Sequence, residues 1–341
     1  MSKNRLTRDN LLLSRSKTDE LDLNDSQPPG GQKRPGPCEI NFTQKLSEKV
    51  AGYVERGLAV NTKRAYAADL ADFEAWGATI PANDLTVASY LAEHAETLSV
   101  ATLVRRLATI SKAHAAKGLP SPTASELVRA TIRGIKRTRG TAQAEAKPLL
   151  RDDLFLVLER MGDEPKSIRD RALLLIGFAG GFRRSELVGL DVKDIERARQ
   201  GLIVHLRRSK TDQLAEGRKI GIPFGRTRWC PVGALDQWLS LTSAEAGPLF
   251  RCINRHGRIS DQRLSGEAVA LVLKEGLVAA GIDPAGYSGH SLRAGFVTSA
   301  AMAGASTWKI RAQTGHASDA MLARYVRDSD MFTSNAAGAI L

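Results

Sequence analysis

The chain has 341 residues, 43% of them hydrophobic, and a formal net charge of +12 at pH 7. That length allows two domains with separate cores, and the charge favours a polyanionic partner. No apolar run is long enough to span a membrane, and Cys38, Cys230 and Cys252 are scattered, without the C-x-x-C spacing of a zinc site or the even number of a disulfide framework.

Charge alone does not separate DNA from RNA or an acidic membrane surface. The opening Met1-Ser-Lys-Asn-Arg5 lacks the apolar core of a signal peptide, so the expected location is cytoplasmic. Residues 1–38 are polar and end in Gln27-Pro-Pro-Gly-Gly-Gln-Lys-Arg-Pro-Gly-Pro37. Such a stretch buries too little apolar surface to offset its ordering entropy, and a disordered tail is expected.

From residue 39 to 138 the pattern is helical throughout. Phe42 to Arg56 is one candidate. Asn61-Thr62 starts the next, with Tyr66, Leu70, Phe73 and Trp76 at three-to-four spacing and Gly77 closing it. Asp84 opens a helix carrying Val87, Tyr90 and Leu91. Ser99 caps a longer one with Leu103, Leu107, Ile110 and His114 on one stripe, and a last helix runs from about Thr123 to Lys136. The expected result is a bundle of four or five helices. Its polar faces carry Lys63, Arg64, Arg105, Arg106, Lys112, Arg129, Arg133, Lys136 and Arg137. A charged face is commonly just solvated; in a chain this basic, Arg105 and Arg106, followed by Lys63 and Lys136, are the candidates to face a polyanion.

Residues 139–148 lose apolar periodicity and end in Pro148, as a linker does. A second domain, 149–341, opens with a helix start at Arg151-Asp-Asp153. Ser167 to Phe178 is a strongly apolar helix broken at Gly180-Gly181, and Arg183 then opens a short helix containing Glu186. Gly201 to Arg208 alternates and is β-branched, and Lys219 to Pro223 is its expected hairpin partner. Lys210 lies on the turn between them. Trp229 to Leu239 and Ser265 to Ala280 read as further helices, and Leu249-Phe250 as a short buried segment.

The densest chemistry follows, in Gly286-Tyr-Ser-Gly-His290-Ser-Leu-Arg293, then Thr314-Gly-His316 and Tyr325. His290 three residues before Arg293 at a helix start puts a titratable group beside a permanent cation with a planar fork, which suits a phosphate oxygen. His316 follows Gly315 near an expected helix start, where backbone N–H groups also favour an anion. A tyrosine hydroxyl, with a reference pKa of about 10, attacks only when its proton is removed or its target is polarised. The set describes a phosphate site with a nucleophile, and it lacks a metal-ligand pattern. Taken singly, each of these residues is more often structural than catalytic; in order and at this spacing they are not easily all structural.

Arg183 in Gly180-Gly-Phe-Arg183-Arg-Ser-Glu186, His290-x-x-Arg293, Gly315-His316 and Tyr325 together resemble the signature of the tyrosine recombinase (phage integrase) family, over roughly residues 40–341. The resemblance implies a mainly α protein: an N-terminal, SAM-like helical core-binding bundle, then a mostly helical catalytic domain with a small β-sheet or hairpin. It implies a site-specific recombinase that cleaves DNA through a 3′-phosphotyrosine intermediate, with no metal and no nucleotide cofactor. Arg183 and Arg293 would clamp the phosphate, Tyr325 attack it, and His290 accept the tyrosine proton or bond the phosphate. His316, where some relatives carry Trp, would bond a phosphate oxygen. Lys210 would protonate the leaving oxygen. Arg184 is the competing clamp and Lys219 the weaker alternative to Lys210; Glu186, one turn on, is placed to orient the Arg183 guanidinium. The implied partners are double-stranded DNA with paired half-sites, a homodimer on each site and a homotetrameric synapse, without a membrane. The two domains would form a clamp, and the segment Asp328 to Leu341 would dock on a neighbouring protomer. Two other readings stay open: a type IB topoisomerase or hairpin-end resolvase, and a non-catalytic DNA-binding protein on the same scaffold.

Overall fold

The computed structural model describes residues 53, 57, 59–141, 146–207, 217–316, 318, 319, 322 and 325. Expectations that fall on the N-terminal tail, on all of a helix over Phe42–Arg56 but Tyr53, on Lys210 and on the segment after Tyr325 lie outside those residues. The chain divides between Gly140 and Thr141 into two compact units.

The first unit contains α1 (Val60–Ala75), α2 (Asp84–Glu93), α3 (Val100–Ala116) and α4 (Glu126–Arg139). Asn83, Ser99 and Ser125 cap the last three by accepting the backbone N–H groups of Thr86, Thr102 and Val128, which satisfies donors that a helix start otherwise leaves unpaired. Phe73, Val87, Tyr90, Leu91, Leu103, Ile110, Val128 and Ile132 recur at helical spacing and form one buried cluster. His114 ends the expected α3 stripe inside this core. Its Nδ1 lies 2.8 Å from the Ile110 carbonyl, and its Nε2 lies 3.0 Å from the Ala82 amide nitrogen. It holds the α1–α2 connection against α3.

A polar network crosses the same bundle. Asp69, which is buried, accepts from Arg105 Nε at 2.9 Å and Nη2 at 2.7 Å, and from the Thr109 hydroxyl at 3.1 Å. The Arg106 guanidinium turns inward to Asp72 and the Tyr90 hydroxyl, and Tyr90 also donates to Asp72 at 2.7 Å. Burial, with the bond to Asp72, holds the Tyr90 phenol well above its ordinary range.

The second unit contains α5 (Arg151–Glu159), α6 (Pro165–Ala179), α7 (Arg184–Gly189), α8 (Pro231–Thr242), α9 (Gly266–Ala279), α10 (Ser291–Met302) and α11 (Thr307–Thr314). They pack with an antiparallel sheet of β1 (Ile195–Ala198), β2 (Gly201–Leu206) and β3 (Arg218–Pro223), and with a hairpin of β4 (Arg251–Ile253) and β5 (Ile259–Arg263). Leu173 to Ile176 of α6 are buried in succession, because that helix has neighbours on most sides. Trp238 is fully buried, and its indole N–H donates to the Leu249 carbonyl at 2.8 Å, so the ring fills the core with no unpaired donor. The expected hairpin is present with Val204 opposite Ile220, and β1 adds a third strand, with Ile195 opposite Val204. Neither β1 nor the β4–β5 hairpin was expected from the sequence.

Two contacts fix the helices that carry the site. A Cβ on Gly295 would lie 1.7 Å from the Leu149 carbonyl oxygen, so α10 packs against bare backbone there. Leu322 is fully buried with Val297 and Ile310, and Tyr325 packs one helical turn later against the same cluster.

Candidate active site

Arg183 caps α7. Its backbone N–H donates to Glu186 Oε2 at 2.9 Å and its Nη1 to Glu186 Oε1 at 2.6 Å. Both arms of one carboxylate thus fix the helix start and the guanidinium. Glu186 is itself buried, so its charge is exerted in a low-dielectric setting. The competing residue, Arg184, is exposed. Its stem lies along Gly289 and Gly266, where added Cβ atoms would come within 2.8 and 3.3 Å of it. Arg183 is the arginine turned to the carboxylate.

Arg293 is 1% exposed. Its Nη1 donates to the carbonyls of Gly181 and Thr314, each at 2.7 Å, while Nη2 is buried with no hydrogen-bond partner among the described residues. A buried donor left unmatched is costly, and here it is one arm of a fork suited to an anionic oxygen. Burial, then the nearby Arg183 guanidinium, pushes Arg293 down to about 10, with Glu186 opposing. It stays a cation at neutral pH.

The three-residue spacing from His290 to Arg293 separates environments as well as positions. His290 stands at the cap of α10 and is exposed, whereas Arg293 is buried one turn on. The Tyr325 hydroxyl lies 3.5 Å from His290 Nε2, a loose contact of the kind that tightens when substrate arrives.

Gly315 adopts φ +66° and ends α11. A Cβ there would also lie 1.7 Å from Arg218 Nη1, so glycine meets both the left-handed turn and the close approach of an arginine. His316 therefore follows a helix end, before the next helical turn at Asp319. It is 8% exposed, and its Nδ1 lies 2.7 Å from the Thr314 hydroxyl. Burial, then the charges of Arg293, Arg183, His290 and Arg218, pushes it down to about 3. It is neutral at pH 7.

Arg218 was not anticipated from the sequence. It lies at the start of β3, on the strand face that it shares with buried Ile220 and Ile222, and its Nη2 is 3.7 Å from Glu186 Oε2. Strand parity could have found it: Lys219, considered as an alternative to Lys210, alternates to the exposed face. Among the described residues no group of three or more His, Cys, Asp or Glu side chains could hold a metal ion, and no helix is long and apolar enough to cross a membrane.

In the helical unit the surface differs from the one expected. Arg106 is corrected: its side chain is 10% exposed and tied to Asp72 and Tyr90 inside the bundle, so it does not present a cation to a polyanion. Arg105 is half exposed but held bidentate by Asp69. Lys63 is partly exposed, and Lys136 is exposed on the last turn of α4, with Arg137 and Arg139.

The site thus joins a tyrosine hydroxyl, a histidine within reach of it, and three guanidinium groups. The sequence profile of the phage integrase family matches residues 149–331. The chain is 38% identical over 309 residues to an integrase/recombinase xerD homolog from Selenomonas ruminantium, covering 88% of this chain and 91% of that protein. It is 28% identical over 273 residues to recombinase Cre of Escherichia phage P1, covering 74% of this chain and 78% of that protein. Among solved structures, a lambda integrase dimer bound to a COC′ core site superposes with a TM-score of 0.58 at 18% identity, covering 82% of this chain and 75% of that one. XerH recombinase bound to palindromic difH substrate superposes with a TM-score of 0.57 at 20% identity, covering 84% of this chain and 80% of that one. These last two likenesses concern the fold. The family match and the xerD homolog together establish that the chain is a member of the phage integrase family, the tyrosine recombinases.

Proposed function

We propose that this protein is a site-specific DNA recombinase that cleaves and rejoins strands through Tyr325. The observation that carries the reading is the juxtaposition of the Tyr325 hydroxyl, 3.5 Å from His290 Nε2, with the buried Arg293 fork. Arg183 and Arg293 hold the non-bridging oxygens of the scissile phosphodiester and neutralise charge as it builds in the transition state. Tyr325 Oη bonds to phosphorus as its proton passes to His290. The bond from phosphorus to the 5′-oxygen breaks, and that oxygen takes a proton from Lys210, leaving a 3′-phosphotyrosine and a 5′-hydroxyl. Glu186 orients Arg183, and His316 bonds a phosphate oxygen. Because the phosphotyrosine is itself a diester, a 5′-hydroxyl from another strand reverses the step with no nucleotide cofactor.

The +12 charge supports a DNA partner held chiefly through phosphates. The first unit is the core-binding bundle, with Lys63, Lys136 and the exposed part of Arg105 as its phosphate contacts. Exchange between two duplexes requires a homodimer on each paired half-site and a homotetramer in the synapse, with the segment 328–341 docking on the neighbouring protomer. The protein acts in the cytoplasm.

The test is covalent trapping on nicked duplexes cut from the DNA flanking the gene, comparing wild type with Tyr325→Phe. An SDS-resistant adduct is expected from the wild type alone. Binding by both proteins with an adduct from neither would favour a non-catalytic DNA-binding protein, and relaxation of plasmids without site preference would favour a topoisomerase.

A further inference from the structure

Thr314 is the last residue of α11 and is fully buried. Its hydroxyl oxygen lies 2.7 Å from the Ile310 carbonyl oxygen and 2.7 Å from His316 Nδ1. A hydroxyl has one proton to donate. The carbonyl can only accept, and a helical threonine commonly bonds the carbonyl four residues back. With the proton directed to Ile310, the contact to His316 is a hydrogen bond only if Nδ1 is the donor. The opposite arrangement would leave two acceptor oxygens 2.7 Å apart with no proton between them.

A neutral imidazole carries one N–H, so a proton on Nδ1 makes Nε2 a lone pair. A phosphodiester oxygen is also an acceptor. The neutral ring therefore offers the phosphate nothing to bond. We propose that the Thr314 hydroxyl fixes His316 as the Nδ1–H tautomer in the free protein, and that docking of the scissile phosphate draws a second proton onto Nε2. His316 then engages the phosphate as an imidazolium held from behind by Thr314. The proton comes from solvent and returns to it when the DNA leaves, and no DNA bond is made or broken in this step. The inference rests on the recombinase reading above and adds a proton to it.

The surroundings explain why the proton waits for DNA. Among the described residues His316 faces Arg293 and His290 from α10, Arg183 from the start of α7, and Arg218 from β3. The Tyr325 ring centroid lies 6.5 Å from its own, and Arg311 Nε donates to its backbone carbonyl at 3.3 Å. Five of these groups, four arginines and His290, are cations or can become so, and each opposes a further positive charge until an anion enters. Thr314 is a positioning residue in this scheme, acting only through His316.

The tautomer is readable without DNA. Long-range proton–nitrogen spectra of the histidine-labelled full-length protein, with His316→Gln to assign the signal, should show His316 neutral near neutral pH with its proton on Nδ1. In Thr314→Val the proton should move to Nε2, and in Thr314→Ser it should stay on Nδ1. A wild-type His316 protonated on Nε2, or already an imidazolium, overturns the proposal; neither outcome depends on a variant that folds.

Coupling is then read by calorimetry in two buffers of different ionisation enthalpy, titrating Tyr325→Phe protein with the duplex mapped by trapping. About one proton should be taken up per protomer, as linkage requires of a single titrating site. Uptake should vanish when His316→Phe or Thr314→Val is added to that background, and when a methylphosphonate replaces the scissile phosphate. Equal uptake in all four titrations overturns the proposal. Failure to form any adduct would sink the recombinase reading; an adduct without His316-dependent uptake sinks only this inference.

Discussion

Glu186 shows how one side chain can set the character of the site. It is buried, bonds the backbone and guanidinium of Arg183, and lies 3.7 Å from Arg218. Its charge offsets two of three crowded cations and fixes the direction of one. Glu186→Gln keeps the shape and removes the charge. Cleavage is expected to fall about 10- to 100-fold, as with other buried partners that orient a reacting group, while DNA retention in a mobility shift stays near that of the wild type. A cleavage rate like the wild type's, measured in single-turnover trapping, would mean that the arginines orient without it. The residue scale also marks a limit of sequence reading. Order and spacing single out Arg183, Glu186, His290, Arg293, His316 and Tyr325, and the structure brings their side chains together. Arg218 was not, because only the pairing of β3 places it beside Gly315.

Among the elements, helices were read more readily than strands, for a physical reason. Ser99 and Ser265 cap α3 and α9 as their sequences imply, and each helix then buries a stripe at helical spacing. β1 reads Ile-Glu-Arg-Ala, four residues with two charges, too short and too polar to announce a strand. The side chains of Arg105 and Arg106 depart from a freely solvated pair for a different reason. On α3 alone they look like a solvated basic step. Their partners Asp69 and Asp72 lie 34 to 36 positions earlier, on α1, and only packing brings them together. This separates two roles by experiment. Arg106→Ala leaves the Tyr90 hydroxyl and the partly exposed Asp72 without their partner and should cost about 1–3 kcal/mol in denaturant unfolding, with little change in the salt slope of binding. Lys136→Ala should leave unfolding unchanged and reduce that slope by about 0.9, the value for one phosphate contact. The reverse pattern would return Arg106 to the DNA face.

For the molecule as a whole, a basic chain of two compact units explains affinity more readily than it explains assembly. In the proposed function, assembly on paired half-sites falls to residues 328–341. Deleting residues 328–341 should leave a single protomer bound on an isolated half-site with unchanged affinity, and abolish the cooperative second shift on a full site. Cooperativity that survives the deletion would place the protomer contact elsewhere in the chain.

The most direct measurement is the chemistry of the covalent bond. After trapping on the nicked duplex, nuclease and protease digestion followed by mass spectrometry should find a 3′-nucleotide phosphate on the peptide containing Tyr325, and no such peptide from Tyr325→Phe. A nucleotide on another residue, or none from a wild-type protein that binds the same duplex, would contradict the account.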